Sequence, residues 1–260
     1  LVIVCLRYEF AIVLPEKDKD AANILALSVF ICTGLSIIVL ILVTLFGNPF
    51  CIILGAPELA FWLWFLPLSL FIAGLFKAFN YWSTRRKQFT RLAIRQITQS
   101  SVTAVTQISA GATAYNGAGG LIGGHIAGQA VATVRLLWQI WKDEGSQLLS
   151  YLGRKRIKKN LVRYRQFPIY SSWSGLLNTA SIMMPPLLLG YFFTPAVVGF
   201  YALGHRVLKM PMNVIGGAVA QVFFPRATKA NREGNLDKIT FTIFNRIVEI
   251  SLIHLLLLTI

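Results

Sequence analysis

The sequence predicts an all-α protein, a polytopic bundle of transmembrane helices. Of its 260 residues, 55% are hydrophobic and only 13% are charged, and the mean hydropathy is +0.63. A soluble domain carries about twice that charged fraction. The charges are also confined to a few places: Glu58 is the sole charged residue between Ala21 and Lys77, and none lies between Gln96 and Arg135. Apolar runs of this length are typical of membrane-spanning helices.

Eight spans are predicted from the apolar runs, the first of them partial. Each complete run has about 20 residues or more, enough at ~1.5 Å per residue to cross a hydrocarbon core of ~30 Å. Polar or turn-forming stretches close several runs: PEKDKD at 15–20, GNP at 47–49 and YNGAGG at 115–120. The runs are 1–14, 22–46, 58–82, 92–114, 121–141, 168–193, 196–224 and 239 onward. Because the chain begins and stops inside apolar runs, we expect a fragment of a longer protein.

The basic residues predict the orientation of these spans. One side of the bundle would hold loops 15–20, 83–95, 142–166 and 225–238, which carry 19 of the 25 Lys and Arg residues. The opposite loops (47–57, 114–120 and 194–195) carry none. Loops rich in Lys and Arg are cytoplasmic, so the four basic loops are predicted to face the cytoplasm. The net charge of +15 then reflects topology and contact with anionic lipid, and no nucleic-acid partner is expected.

The long basic loop 142–166 is the natural boundary between two helical bundles. It predicts part of an N-terminal lobe over 1–141, a basic cytoplasmic linker over 142–166 and part of a C-terminal lobe over 167–260. A charged linker is the preferred interpretation of the loop, and a basic helix on the membrane surface is the alternative.

Small residues and prolines add local expectations. The pairs Gly119/Gly123, Gly120/Gly124 and Gly124/Gly128 have the spacing that lets helix backbones approach closely. Pro67, Pro185, Pro186 and Pro211 lie inside predicted spans, where they remove backbone hydrogen bonds and favour kinks. The three cysteines, Cys5, Cys32 and Cys51, have no paired spacing and are expected to be free.

Several cations lie inside predicted apolar spans, where contact of a charged side chain with lipid would be energetically unfavourable. Lys77 and Arg135 are near a cytoplasmic end, so their side chains can reach the interface. Arg206 lies roughly 15 Å from the outer end of its run, and Lys209 is one turn further in. Residues at i and i+3 share a helix face, and His205 lies beside them. This face predicts either a water-filled cavity, which we favour, or a structural ion pair.

Acidic partners for these cations are scarce. Arg7 with Glu9, and Arg246 with Glu249, are short-range couples that would be structural. Buried positive charge would still exceed buried negative charge, which suits an anionic passenger such as a phosphate or pyrophosphate. The candidate substrate-binding residues are Arg206, Lys209, Arg246, Arg7 and His205.

No sequence pattern indicates an enzyme. The outer loops are short, the acidic residues of the basic loops are scattered, and no nucleophile–base pair or metal-ligand spacing occurs. His125 and His254 stand alone on apolar helices and are interpreted as packing residues. We therefore expect no catalytic residue, metal or cofactor.

Three stretches carry a resemblance to a known family. LRYEFAIVLPEKDKDAANILALS (6–28), NYWSTRRKQFTRLAIRQITQS (80–100) and the region 167–227, which includes GFYALGHRVLKMP, resemble bacterial polysaccharide-biosynthesis flippases. These are the O-antigen (Wzx-type) translocases of the multidrug/oligosaccharidyl-lipid/polysaccharide exporter superfamily. The resemblance covers nearly the whole chain.

The resemblance implies a two-lobe transporter around a central cavity, of which this chain would hold roughly the second to ninth spans. It implies a multi-pass protein of the bacterial inner membrane that flips an undecaprenyl-pyrophosphate-linked oligosaccharide by alternating access. Its partners would be that lipid-linked oligosaccharide, the lipid bilayer and other glycan-assembly membrane proteins. Arg206 and Lys209 would hold the anionic head, with Arg7 and Arg246 next in rank.

Two further functions remain open. A cation-coupled drug or solute exporter of the same superfamily would need a buried acid in the first lobe, for which Glu9 and Glu58 are the candidates. A non-transporting scaffold of a membrane glycan-synthesis complex would instead be held through the basic loops, and Arg206 and Lys209 would then be inert or structural. Charge-neutralising variants separate the scaffold from the two transporters.

Overall fold

A computed structural model describes residues 3–53, 59–112, 118–234 and 236–259. Within these ranges the chain forms helices and turns and contains no strand, which confirms the all-α class. The chain divides into two compact units, unit 1 (Leu1–Leu176) and unit 2 (Leu177–Ile260). The assignment of 1–141, 142–166 and 167–260 to two lobes and a linker stays a prediction.

Ten α-helices and one π-helical turn make up the described chain. Unit 1 holds α1 (Tyr8–Ala11), α2 (Asp18–Ile53), α3 (Leu59–Leu63), α4 (Phe65–Arg85), α5 (Phe89–Ala112), α6 (Ala118–Tyr151) and α7 (Arg154–Arg163). A π-helical turn (Phe167–Ser171) leads into α8 (Ser172–Phe192), which continues into unit 2. Unit 2 also holds α9 (Pro195–Arg232) and α10 (Leu236–Thr259).

Three helical segments of the described chain are long and apolar enough to cross a membrane. They are Asp18–Ile52, Ala60–Arg85 and Phe167–Phe192, and the most apolar window of the last is only 6% buried within the protein. Such apolar surface suits lipid rather than water. The predicted spans 92–114, 121–141, 196–224 and 239 onward coincide with α5, α6, α9 and α10, and their crossing of the membrane stays a prediction.

The N-terminal stretch departs from the predicted partial span over 1–14. Residues 3–14 form turns around the four-residue helix α1 rather than a continuous helix. Leu6 and Arg7 have φ angles of 47° and 63°. Two consecutive residues in the left-handed region interrupt a right-handed helix, so the prediction of a span is wrong for the described part of this stretch.

Near two prolines, the helix boundaries differ from those that the sequence predicts. The GNP sequence was expected to end the second span, but α2 continues through it to Ile53 with Pro49 inside the helix. A break at Trp64 separates α3 from α4. Pro67 has no N–H to donate to the carbonyl of Leu63, which explains the break. Pro185 and Pro186 lie inside α8, as predicted.

The basic segment 142–166 is largely helical and packs on unit 1. Helix α6 extends to Tyr151 and α7 follows, and the choice between a charged linker and a basic helix on the membrane surface stays a prediction. Three hydrogen bonds hold it near the start of α2: Tyr8 Oη to Leu161 O (2.9 Å), Asn160 Nδ2 to Asp20 O (3.2 Å), and Gly153 N to Asn23 Oδ1 (2.9 Å).

An apolar core joins α1, α2, α4 and α6. Its buried members are Ala11, Ile12, Ala21, Ala22, Ile24, Leu25, Ala78, Trp82, Leu136 and Ile140. The three cysteines are free and buried, as predicted, and Cys5 and Cys32 form a second cluster with Val4. Gly74 packs directly against Cys32 and Val4, where a Cβ would have no room.

Helices α5 and α6 form a closely packed hairpin through small residues. A Cβ on Gly124 would lie 2.6 Å from Gln107 Cγ, and one on Gly128 would collide with Thr103 Oγ1 and lie 2.9 Å from the carbonyl oxygen of Gln99. Gly123 faces open space. The Gly124/Gly128 spacing therefore serves the close approach that the sequence predicts.

Substituting Gly128 with leucine should destabilise the hairpin. Overpacking of this kind costs about 1–3 kcal/mol, and the backbone of Gln99 cannot move aside as a flexible side chain would. Gly123→Leu is the matched control, since it makes the same change on the same helix toward open space. Thermal unfolding in detergent, followed by labelling of the buried thiols, should show a lower midpoint for Gly128→Leu only. Equal midpoints would contradict the close contact.

Candidate functional site

The predicted cations of α9 lie on a long helix in unit 2. Arg206 and Lys209 are roughly 16 and 21 Å along α9 from Pro195. Arg206 is exposed, whereas Lys209 and His205 are half-buried. The imidazole of His205 stacks on the ring of Tyr201, with 5.7 Å between the centroids. In the described part of unit 2, neither cation forms an ion pair.

The other two predicted binding residues have neighbours of their own. Arg246 Nη1 donates to Glu249 Oε2 at 3.0 Å, which confirms the predicted couple on α10, although both side chains are well exposed. In unit 1 the guanidinium of Arg7 lies 5.0 Å from the Phe10 ring centroid instead of hydrogen bonding to Glu9. The structure thus groups His205, Arg206 and Lys209 on one turn of α9, and it leaves the binding role of all five residues a prediction.

A network of charged side chains in unit 1 links α2, α4, α5 and α6. Asp18 accepts hydrogen bonds from Arg85 Nη2 at 2.8 Å and from Arg86 Nη1 at 2.9 Å. Glu144 accepts from Arg86 Nε at 2.8 Å, and Arg91 Nη2 donates to Asp143 at 2.6 Å. The network lies in and beside the loops predicted to face the cytoplasm.

Glu144 is the buried centre of this network. It is 7% exposed and also accepts a 3.0 Å hydrogen bond from the indole N–H of Trp82. Burial disfavours the Arg86 cation, but the hydrogen bond and charge of Glu144, with Asp18 beyond, outweigh it and raise the pKa of Arg86. A carboxylate at this point therefore holds α4 and α6 together.

Arg85 closes the turn between α1 and α2. Its Nη1 donates to the carbonyl oxygens of Pro15 at 2.6 Å and Val13 at 3.3 Å, and its Nη2 donates to that of Glu16 at 3.1 Å. Carbonyls in this non-helical stretch have no helical N–H to accept from, and a guanidinium offers five donors in a planar fork. The stretches RYEFAIVLP (7–15) and RRKQF (85–89), which are distant in sequence, therefore meet in space.

Two further charges of unit 1 are buried: Arg95, which the sequence analysis missed, and Glu9, one of its candidate buried acids. Arg95 was counted among the cations of loop 83–95, yet it is 6% exposed and its guanidinium carbon lies 3.4 Å from the Phe76 ring centroid. Glu9 is 1% exposed, and its Oε2 has no hydrogen-bond partner. The i, i+4 spacing of Arg91 and Arg95 around Leu92 was the available signal, because it sets both cations on one helix face.

The described residues offer binding chemistry rather than a metal centre. Among the residues that the structure describes, no group of three His, Cys, Asp or Glu side chains is arranged to hold a metal ion. The α9 turn presents hydrogen-bond donors and positive charge, which match phosphate or carboxylate oxygens. The unit 1 network is already internally paired and has little capacity left for a ligand.

Replacing Glu144 with glutamine should weaken unit 1. The substitution keeps the volume but removes the charge opposite Arg86, and breaking a buried pair costs about 3 kcal/mol. Asp143→Asn is the matched control, because Asp143 is half exposed and an exposed pair contributes under about 1 kcal/mol. We expect the midpoint of thermal unfolding to fall by about 5–10 °C for Glu144→Gln alone. A similar loss in both variants would show that burial of Glu144 has no special role.

Comparison with known proteins gives a family match. Residues 11–255 match the family described as "Polysaccharide biosynthesis protein". No curated protein and no solved structure matches the chain. Since the match covers most of the 260 residues, it includes α2 to α9, the charged network of unit 1 and the cationic turn of α9. The chain therefore belongs to the polysaccharide biosynthesis protein family.

Proposed function

We propose that the protein moves a lipid-linked oligosaccharide from the cytoplasmic to the outer leaflet of the bacterial inner membrane. The passenger would carry an anionic pyrophosphate head, as in undecaprenyl-pyrophosphate-linked sugars. The observation that carries the proposal is the unpaired cationic face of Arg206 and Lys209 on α9, in a chain of a polysaccharide biosynthesis family.

The energetics of a membrane favour a ligand for this face. A cation near the centre of a bilayer costs roughly 2.5–3.5 kcal/mol on insertion scales. In unit 1, Arg86 pairs with Glu144 and Arg95 lies against the Phe76 ring. Arg206 and Lys209 have no such neighbour among the described residues of unit 2, so an anionic passenger would supply the missing charge.

The two side chains suit different parts of such a head. Arginine offers a planar fork that pairs with two oxygens of one phosphate group, and lysine is a compact point charge. Their i, i+3 spacing places both on one helix face. In the proposed alternating-access cycle, this face lines a cavity that opens first to the cytoplasm and then to the outside. The protein would act without a cofactor and without catalysing a covalent change.

A cation-coupled exporter is the second candidate, and the burial of Glu9 favours it. A carboxyl group that is 1% exposed with one oxygen unpartnered is a suitable place to bind a proton or a sodium ion. The surplus of cations on α9 argues against cationic drugs as the passenger. A scaffold function would instead depend on the exposed basic face of α7.

Removing both α9 cations should stop export of the glycan. The test is the double variant Arg206→Ala, Lys209→Ala in cells whose polymer export depends on this protein. We expect the lipid-linked glycan to accumulate in the cytoplasmic leaflet, because its head loses the charges that hold it. Leaflet occupancy is measured by labelling glycan accessible from outside before and after permeabilisation.

The matched control is the double variant Arg226→Ala, Lys229→Ala, which removes the same charge from the same helix near its predicted cytoplasmic end. It should leave export unchanged at equal membrane levels. Unchanged export in the Arg206/Lys209 variant would contradict the proposed site and favour the scaffold. Loss of export in Glu9→Gln with normal binding of the glycan would favour cation coupling.

A further inference from the structure

An apolar groove lies between α2 and α6 of unit 1. Its volume is about 700 Å³. Helix α2 contributes Leu25, Val29 and Phe30, and α6 contributes Trp138 and Leu149. Thr33 is polar, but its hydroxyl already donates to the carbonyl of Val29 at 2.9 Å. The lining thus offers almost no free polar group.

The groove has the length of one lipid leaflet. Its lining on α2 extends from Ala22 to Thr33, about 16 Å along the helix axis. Half of a ~30 Å hydrocarbon core is ~15 Å. Ala22 lies one turn inside the start of the apolar segment Asp18–Ile52, on the side predicted to be cytoplasmic. An acyl chain of the inner leaflet can therefore lie along the whole groove.

Positive charge lies beside the lining of the groove. Lys142 Nζ lies 5.4 Å from the ring centroid of Trp138, which itself lines the groove. Lys19, one turn before Ala22, lies 5.8 Å from the ring centroid of Tyr151. Helix α7 follows Leu152 of the lining directly and adds six exposed cations: Arg154, Lys155, Arg156, Lys158, Lys159 and Arg163.

Three of the acids near this rim are paired with arginines. Asp143 is occupied by Arg91 at 2.6 Å, and Asp18 is occupied by Arg85 and Arg86. Glu144 is buried against Arg86. An apolar groove with a basic end matches an amphiphile that has an apolar chain and an anionic head. Juxtamembrane basic clusters attract anionic lipid headgroups by about 1 kcal/mol for each cation.

We propose that this groove binds an anionic phospholipid of the inner leaflet. Its acyl chain would lie against Phe30, Trp138 and Leu149, and its phosphate would lie near Lys19 and Lys142. The bound lipid would fill the space between α2 and α6 at the end where α7 docks. This site is separate from the α9 cations and does not depend on transport of a glycan.

The test measures retention of a defined lipid by the purified protein. Protein in detergent is titrated with phosphatidylglycerol or phosphatidylcholine, and bound lipid is counted by native mass spectrometry. We expect phosphatidylglycerol to be retained preferentially. The double variant Lys19→Gln, Lys142→Gln should bind it about 30-fold more weakly, from two cations at about 1 kcal/mol each. The control Arg226→Gln, Lys229→Gln removes equal charge elsewhere and should bind as the unmodified protein does.

A second variant tests the groove itself. Ala26→Trp places an indole inside the lining and should displace the lipid, whereas Ala202→Trp on an exposed position of α9 should not. If Ala26→Trp lowers the thermal midpoint, Phe30→Gln replaces it, because Phe30 is 77% exposed and its loss leaves the core intact.

Three results would overturn the proposal. One is equal retention of the two lipids, and another is equal retention by the Lys19/Lys142 variant and its control. The third is a photocrosslink from position 30 in membranes that joins a second copy of this chain or another protein rather than lipid. That result would assign the groove to a protein contact instead.

Discussion

The carboxylates of Asp18 and Glu144 hold unit 1 together. Each binds Arg86, and through Arg85 the network reaches the carbonyls before α2. Lipid chains are as apolar as leucine, so burial of apolar side chains gives little drive for helices to associate within a membrane. Close packing at Gly128 and Gly74 and charge-assisted hydrogen bonds must supply the specificity. The network supplies it where α2, α4, α5 and α6 meet.

The scarcity of acids gives this network its importance. The chain has 10 Asp and Glu against 25 Lys and Arg, and three of those acids are used between α2, α4, α5 and α6. The same shortage leaves the cations of α7, and Arg206 and Lys209 on α9, without acidic partners among the described residues.

The sequence predicted the helical fold class correctly. It did not predict the positions at which some helices end or break. Long charge-free runs predicted helices because few other structures satisfy the backbone within lipid. The same runs hid the break at Trp64 and the continuation of α2 through Pro49, since these depend on which single hydrogen bond a proline removes. The prediction of a span over 1–14 failed because the left-handed backbone at Leu6 and Arg7 leaves no hydropathy signal.

For the site, the sequence could identify cations whose position within an apolar span is energetically unfavourable. It could not identify the side chains that offset this cost. Arg206 and Lys209 stood out by depth, whereas Arg95 looked like an ordinary loop residue until Phe76 was found beneath it. Compensation depends on contacts between distant segments, and i, i+4 spacing reveals only contacts within one helix.

The distribution of partners separates two kinds of cation. Arg85, Arg86 and Arg91 bind carboxylates of their own unit, and a cation held that way is occupied before any ligand arrives. Arg206 and Lys209 share a turn with a histidine that stacks on Tyr201, and no carboxylate of the described part of unit 2 binds them. A helix that keeps such a face within an apolar sequence retains an unfavourable charge, which a binding function would offset. The paired cations of unit 1 thus help to build the bundle, and under the proposed function the unpaired cations Arg206 and Lys209 of α9 bind the passenger.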